Sequence, residues 1–208
     1  MIKQKLTEKD YVVSRWSGGT TTQLAIWPPE AKYADRDFLW RISSATVDLE
    51  ESDFTPLPDY DRLIATLEGE IVLTHNGGAP LTFRPLEVHA FSGADATHSR
   101  GRCRDFNLML RRGKITGSME ALRLTENAIS LPMDCSAGNL PAIAKQVLLY
   151  CVEGETKASP RCHSERGAAE SKNPFSLVPG EALLLTDPAP LTLTGPAVLM
   201  LCRMTPIP

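Results

Sequence analysis

The stretch Leu63-Ile64-Ala65-Thr66-Leu67-Glu68-Gly69-Glu70 occurs a second time, in altered form, as Val147-Leu148-Leu149-Tyr150-Cys151-Val152-Glu153-Gly154-Glu155. Each copy is an apolar run that ends in a Glu-Gly pair, which is typical of a β-strand followed by a turn. Each is followed by a Pro-x-Glu turn, at residues 85–87 and 179–181, and then by another apolar strand, at residues 107–111 and 198–203. A β unit repeated with the same turn chemistry predicts a duplicated barrel, in which each half buries a face that the other helps to cover. The copies differ in polar content, which indicates where a ligand could sit.

The composition is that of a globular protein without a basic partner surface. In 208 residues, 42% are hydrophobic, which is enough for a substantial core, and the net charge is −3. That charge gives no field to attract phosphates, so we expect no nucleic-acid partner. The N-terminus lacks the apolar core of a secretory signal and no apolar run is long enough to cross a bilayer, so we expect a cytoplasmic protein with no membrane partner. The five cysteines contain no Cys-x-x-Cys pair, which argues against a disulfide framework and a thiolate zinc site, and Cys151 and Cys202 are predicted to be small buried side chains.

Short runs of Val, Ile, Leu and Thr, separated by 16 prolines and 14 glycines, predict an all-β fold with few helices. The Asn76-Gly77 pair predicts a hairpin turn. We expect a first barrel over residues 1–125, which includes the N-terminal segment, and a second, smaller half over residues 126–208. Residues 133–140 are predicted to connect them, and the polar, aperiodic residues 156–173 to form a mobile insertion. The predicted strands are 20–26, 39–48, 62–67, 70–75, 81–83, 89–92, 104–111, 121–124, 145–152, 182–185, 191–193 and 197–204.

The succession of glycine, strand and proline turn resembles the cupin superfamily, whose usual metal centre needs a His-x-His pair, a downstream Glu and a later His. That set is missing here. His75 falls in the turn before Asn76, His98 lies in a polar stretch, and only His89, after Pro85, is at the place of the third ligand. A catalytic metal normally takes three protein ligands and a water, so we predict no metal and no other cofactor. The structural interpretation of His89 is a histidine at the barrel mouth with a neighbouring hydrogen-bond partner.

Four further segments together resemble the HutD/Ves family of cupin-like proteins, in the same order and at similar spacing. They are residues 15–24 (RWSGGTTTQL), 37–47 (DFLWRISSATV), 52–62 (SDFTPLPDYDR) with Leu67-Glu68-Gly69, and 105–113 (DFNLMLRRG). The resemblance implies a metal-free bicupin, often encoded with histidine-degradation enzymes. It further implies a regulator, in histidine utilisation or stress response, that binds a small metabolite such as urocanate or a formylated relative and is not a catalyst. The chain departs from the family pattern at Ser17 and Gln23, where the family usually has Asn and Glu, and at residues 57–59 (LPD), where it usually has Phe-Pro-Gly.

The alternation of side chains along strands predicts a polar cup in the first barrel. Arg41 shares a face with Ser43, Arg62 opens a strand, and Asp105 and Asn107 lie together on one face. An arginine fork matches a carboxylate in two hydrogen bonds, and Asp105 or Asn107 could hold the other polar end of a ligand. Apolar contact would come from Trp40, Phe106 or Met109. The predicted ligand-binding residues are Arg41, Arg62, Asp105, Asn107, Trp40 and His89, and the predicted ligand is a small carboxylate metabolite.

Three alternatives stay open. The same charges could form structural ion pairs, with Asp61 or Asp105 bound to Arg41 or Arg62, because buried charges are normally paired. The protein could be a metal-independent enzyme, an isomerase or hydrolase, in which His89 and Asp105 act as an acid–base pair, although no nucleophile elbow, phosphate loop or dinucleotide motif is present. It could also be an interaction protein with a filled barrel and no cavity near Arg41. The sequence favours a binding protein over an enzyme, and it leaves the oligomeric state open, with a homodimer as one option.

Overall fold

The computed structural model describes residues 2–132, 145–160 and 174–208, and in these ranges nearly all regular structure is β-strand. Two 3₁₀ turns, Glu8–Asp10 and Tyr33–Asp35, are the exceptions. None of the helices in these ranges is long and apolar enough to cross a bilayer. The strands up to residue 111 are β1 (Ile2–Leu6), β2 (Val12–Trp16), β3 (Gly19–Trp27), β4 (Trp40–Val47), β5 (Glu51–Asp53), β6 (Tyr60–Gly69), β7 (Ile71–His75), β8 (Leu81–Phe83), β9 (His89–Ser92), β10 (Thr97–Arg100) and β11 (Cys103–Arg111). The strands that follow are β12 (Ile115–Leu124), β13 (Ile129–Leu131), β14 (Gln146–Gly154), β15 (Thr156–Pro160), β16 (Phe175–Leu177), β17 (Ala182–Thr186), β18 (Leu191–Thr194) and β19 (Ala197–Pro206).

The all-β prediction is confirmed, but several short strands were not predicted. The strand β10, Thr97-His98-Ser99-Arg100, has no apolar alternation and is a strand because it pairs with both β5 and β7. Strand β15 forms the beginning of the segment that was predicted to be a mobile insertion. The residues of this strand instead pair with β16 and β18. The rest of that segment, and the predicted connection at residues 133–140, lie outside the described residues.

The first unit, Asp10–Glu120 with Ile207–Pro208, contains two sheets. One has the order β2-β3-β4-β11-β6-β9 and the other the order β5-β10-β7-β8. The sheets pack through apolar side chains from both, such as Val47 and Ile64 from the larger sheet and Ile71 and Leu73 from the smaller one. The predicted hairpin between β7 and β8 is confirmed: Asn76 and Gly77 both have positive φ, 53° and 68°, and the Gly78 N–H donates to the His75 carbonyl at 2.9 Å.

The second unit, Met1–Lys9 with Ala121–Pro206, also has two sheets, β1-β17-β14-β19-β12 and β13-β18-β15-β16. Among its described residues, an apolar cluster of Leu, Val, Ala and Cys side chains forms a core. The N-terminal strand β1 was expected in the first barrel, but it pairs along its length with β17. The physical reason is the edge of β17, an apolar strand whose backbone groups on that side would otherwise have no partner.

The two units have the same glycine turns and the same Pro-x-Glu turns, with equivalent hydrogen bonds. Gly69 and Gly154 end β6 and β14 with φ of 74° and 75°, a conformation that favours glycine. In the Pro-x-Glu turns, Glu87 and Glu181 each accept a hydrogen bond through Oε2 from the backbone N–H three residues earlier, at 3.2 and 3.1 Å. The middle residues of these turns donate their N–H groups to Thr66 and Cys151, which lie three residues before the two glycines. The duplication predicted from the sequence is therefore present in the backbone, and Thr66 and Cys151 are equivalent positions.

Candidate functional site

A cavity of about 310 Å³ opens in the first unit, on the inner face of its larger sheet. Four of the predicted ligand-binding residues, Arg41, Arg62, Asp105 and Asn107, line it together. All four are buried, with exposed fractions between 4% and 7%. The first unit is thus not the filled barrel that one alternative required.

Strand register explains why these side chains meet. Three neighbouring strands, β4, β11 and β6, place their inward side chains in three rows, because directly paired residues point to the same face of a sheet. The rows are Arg41–Met109–Arg62, Ser43–Asn107–Ile64 and Ala45–Asp105–Thr66. The two arginines therefore stand at one end of the cavity wall and the carboxylate of Asp105 stands two rows away.

Arg62 is a buried cation without an acidic partner. It forms no ion pair with any carboxylate in the described part of the chain, and its Nε has no hydrogen-bond partner there. The guanidinium instead lies against the rings of Phe54 and Phe91, with Cζ 4.8 and 5.0 Å from their centroids. Burial lowers the pKa of Arg62 to about 10, although Asp105 acts in the opposite direction. A guanidinium in this state has unused donors that suit an incoming anion.

Arg41 is held in place by neutral partners. Its Nε donates to Oε1 of Gln23 at 2.8 Å, and a terminal nitrogen donates to Oγ of Ser43 at 3.1 Å. Its Cζ lies 4.3 Å from the centroid of the Tyr33 ring. Burial lowers the pKa of Arg41. Because neither hydrogen-bond partner is charged, the positive charge of Arg41 is oriented but not neutralised.

Asp105 forms no ion pair with either arginine, although its negative charge raises the pKa of both against the larger effect of burial. Its Oδ1 accepts a hydrogen bond from the Ala45 N–H at 3.0 Å. Burial raises the pKa of Asp105 to about 6, against the opposing effects of that hydrogen bond and of Arg62 and Arg41. Asp61 binds Arg112 at 2.8 Å on the exposed side of the unit. The structural ion pairs of the first alternative therefore do not form among the described residues.

Two residues that line the cavity carry buried polar atoms without a hydrogen-bond partner in the described part of the chain. They are Nε of Arg62, a donor, and Oδ1 of Asn107, an acceptor. Buried polar groups normally have hydrogen-bond partners, and leaving one unpaired costs about 1–3 kcal/mol. Donors and acceptors without partners around one cavity are what a ligand-binding site contains before the ligand arrives.

His89 and Trp40 were predicted to contact the ligand, but neither lines the cavity. Trp40 lies on the opposite face of β4 from Arg41, fully buried, with its ring stacked 6.5 Å from that of Trp27. Phe106 is likewise buried outside the cavity. His89 makes a hydrogen bond with His75, Nε2 to Nε2, at 2.9 Å, and it stacks on Phe91. Burial, and then His75, lower its pKa.

Aromatic residues that were not predicted as ligand contacts line the cavity instead: Trp16, Tyr33 and Phe54. Trp16 is 40% exposed, and it folds over Gly18, where a Cβ would lie 2.1 Å from its ring. The Trp-Ser-Gly-Gly order contained this signal, because a glycine two residues after an aromatic ring leaves room for the ring to turn back. Tyr33 could not be predicted as a ligand contact, because it follows an irregular segment that lacks the alternation of a strand.

The residues that the structure describes do not fit a metal centre. Within the described ranges, no group of three or more His, Cys, Asp or Glu side chains is placed to hold a metal ion. His75 and His89 bond to each other, and Nδ1 of His75 is engaged with Oγ1 of Thr97 at 2.9 Å. Cys103, Cys151 and Cys202 are buried and unbridged, as expected for the last two, and burial raises the pKa of each thiol.

Comparison with known proteins gives a family and a fold. The HutD family model matches residues 8–201, whereas no curated protein sequence matches the chain. A conserved protein of unknown function from Pseudomonas aeruginosa PAO1, PA5104, is 22% identical, with all of both chains covered and a TM-score of 0.77. HutD from Pseudomonas fluorescens SBW25, in a structure described as a formate condition, is 23% identical, with all of both chains covered and a TM-score of 0.72. The Escherichia coli pirin YhhW, in complex with nickel(II), is 10% identical over 99% of this chain and 100% of that one, with a TM-score of 0.64. These likenesses establish a cupin-type fold.

Exchanging the residue types at two equivalent positions of the two units should change the stability of the protein in opposite directions. Asn107 and Leu201 are equivalent, since they pair with Ile64 and Leu149, which lie five residues before the turn glycines. Asn107→Leu removes an unpaired buried amide and should stabilise the protein by about 1–2 kcal/mol. Leu201→Asn puts an unpaired amide into an apolar core and should cost about 3 kcal/mol or more. Urea denaturation midpoints check both values, and a loss of stability in Asn107→Leu would mean that the amide has a structural role.

Proposed function

Because this chain belongs to the HutD family, we propose that its first unit binds a small carboxylate metabolite between Arg41 and Arg62, as a regulator in histidine utilisation or stress response. The expected ligand is a urocanate-like acid or a formylated intermediate of histidine degradation. The observation that carries the proposal is the buried guanidinium of Arg62, which forms no ion pair with a carboxylate of the described chain.

The energetics of burial favour an anion at this place. A charge taken out of water without a counter-ion costs several kcal/mol, and proteins normally pair buried arginines for that reason. Contacts with Phe54 and Phe91 offset part of that cost, since a cation over an aromatic face gains about 0.5–2 kcal/mol. An incoming carboxylate would supply the missing counter-ion and two charge-assisted hydrogen bonds.

The dimensions and lining of the cavity suit a small molecule with a polar and an apolar part. A volume of about 310 Å³ is at the small end of ligand sites, which span about 300–1,000 Å³. Met109 lies between the two arginines in the register, and Trp16 and Tyr33 stand at the margin, so apolar contact area surrounds the charged groups. Asn107 and Asp105 would then form hydrogen bonds with the polar groups on the rest of the ligand.

The neutral side chain of Gln23 supports an anionic ligand. Gln23 accepts a hydrogen bond from Arg41 at a position where the resemblance to the family implies a glutamate. A glutamate there would neutralise Arg41, whereas glutamine leaves its charge available. The departure from the family pattern thus favours a ligand with more negative charge in this chain.

The alternative of a metal-independent enzyme has no such support. It required His89 and Asp105 to act together, but His89 is bonded to His75 and only Asp105 lines the cavity. A proton relay between them would need a contact that these residues do not make.

Titration of the protein with urocanate, and with formate as the smallest carboxylate, tests the proposal. We expect Arg62→Met, which keeps the volume and removes the charge, to weaken urocanate binding by about thirtyfold or more, or about 2 kcal/mol. Arg112→Met is the matched control, because that arginine pairs with Asp61 away from the cavity and should not matter. Calorimetry gives the affinities, and circular dichroism checks the fold. Equal binding by the parent and Arg62→Met, or no binding of either acid by the parent, would contradict the proposal.

The charge of residue 23 gives a second test. Gln23→Glu keeps the hydrogen-bond acceptor for Arg41 but adds a negative charge to the cavity, so carboxylate affinity should fall about tenfold or more. Thr46→Glu adds the same charge at an exposed position of β4 on the opposite face and should change the affinity much less. If both variants weaken binding equally, the effect is that of net charge and not of the local pairing of Arg41.

A further inference from the structure

Asp105 is the one acidic side chain buried among the groups that line the cavity. Its Oδ1 is fixed by the Ala45 N–H, and neither guanidinium in the cavity forms an ion pair with it. The pairing of β11 with β4 and β6 sets this arrangement, because it places Asp105 in the row beside Ala45 and Thr66 and not in the row of the arginines.

A carboxylate bound at Arg62 would share this small space with the Asp105 carboxylate. If about 310 Å³ were a sphere it would be roughly 8 Å across, and two like charges at that separation repel by the equivalent of about a thirtyfold loss of affinity at an effective dielectric constant of about 20. Asp105 is 6% exposed, so its carboxylate is only partly open to screening by water. Protonation of Asp105 removes this repulsion.

We propose that a carboxylate enters the cavity together with a proton, which Asp105 takes up, so that the site binds a small acid and not a bare anion. This inference rests on the proposed function and adds a regulation of the same site by pH. The proton goes to the Asp105 carboxylate and the ligand stays ionised against the guanidinium of Arg62.

The charged surroundings of Asp105 agree with this assignment. Arg41 faces it from β4 and Arg62 from β6, and both favour its ionised form, but burial outweighs them and raises the pKa of Asp105 to about 6 in the free protein. The Cys103 thiol, on the same strand, is neutral because burial raises its pKa to about 12. Tyr33 and Asp53 also line the cavity, and Asp53 is mostly exposed and bonded to His98 at 2.8 Å. A second negative charge can only move the pKa of Asp105 further upward.

The affinity for the carboxylate ligand should fall as the pH rises. Ordinary carboxylic acids are ionised above about pH 5, so the ligand stays an anion over the range that matters. Below the pKa of Asp105 in the free protein, affinity is high and constant. Between that pKa and its higher value in the complex, affinity falls by up to tenfold per pH unit, and above the higher value it is constant again.

Calorimetric titration with formate, in cationic buffers of different ionisation enthalpy (bis-Tris, imidazole and Tris) at several pH values from 5.5 to 8, counts the protons bound per ligand. We expect the parent to take up a large fraction of one proton near pH 6.5–7. Asp105→Asn keeps an oxygen for the Ala45 N–H; it should take up no proton, lose the pH dependence, and bind formate about tenfold more tightly than the parent at pH 8. His98→Asn, which removes the exposed imidazole beside Asp53, should take up protons as the parent does.

The other outcomes distinguish a failure of this inference from a failure of the proposed function. Binding of formate by the parent without proton uptake, or uptake that persists in Asp105→Asn, overturns the inference and leaves the proposed function intact. Uptake that is lost in His89→Asn and kept in Asp105→Asn also overturns it, and assigns the proton to the pair of His75 and His89. Absence of binding in the parent at every pH contradicts the proposed function itself.

Discussion

The site depends on one buried charge, that of Arg62, which forms no ion pair in the described part of the protein. The Arg62 guanidinium is held between two phenylalanine rings, and its Nε has no partner in the described part of the protein. Gln23 and Ser43 orient Arg41 without charge, and Asp105 is tied to the backbone at Ala45 two rows away. A protein under selection for stability alone would have paired or replaced such an arginine.

The duplicated frame shows how the protein supports that arrangement. Both units have the same glycine turns and the same glutamate bonds in their Pro-x-Glu turns. The positions that correspond to Arg62, Asn107 and Asp105 are Val147, Leu201 and Leu199, which belong to the apolar cluster of the second unit. Equivalent strands thus carry a polar cavity wall in one copy and a filled core in the other. The backbone hydrogen bonds specify the fold in both, so the inward side chains of the first copy are free to serve a ligand.

Much of this could be predicted from the sequence, because it follows from periodicity and turn chemistry. The Asn76-Gly77 turn, the all-β class and the common face of Arg41 and Ser43 are local properties of the chain. The partners of His89 could not be predicted in this way, since its bond to His75 depends on how β7 and β9 meet across the unit. Trp16 and Trp40 were equally ambiguous, because alternation gives the two faces of a strand but not which of them is covered. The N-terminal strand was misplaced for a related reason: its partner β17 is far away along the chain, and only the completed sheet shows the edge that it covers.

A crystal structure of the protein soaked with urocanate tests whether Arg62 binds a carboxylate. We expect density in the cavity of the first unit, with the carboxylate of the ligand within hydrogen-bond distance of the Arg62 guanidinium. Ligand density elsewhere, or an Arg62 side chain already paired with Asp105 in crystals without urocanate, would contradict the proposal.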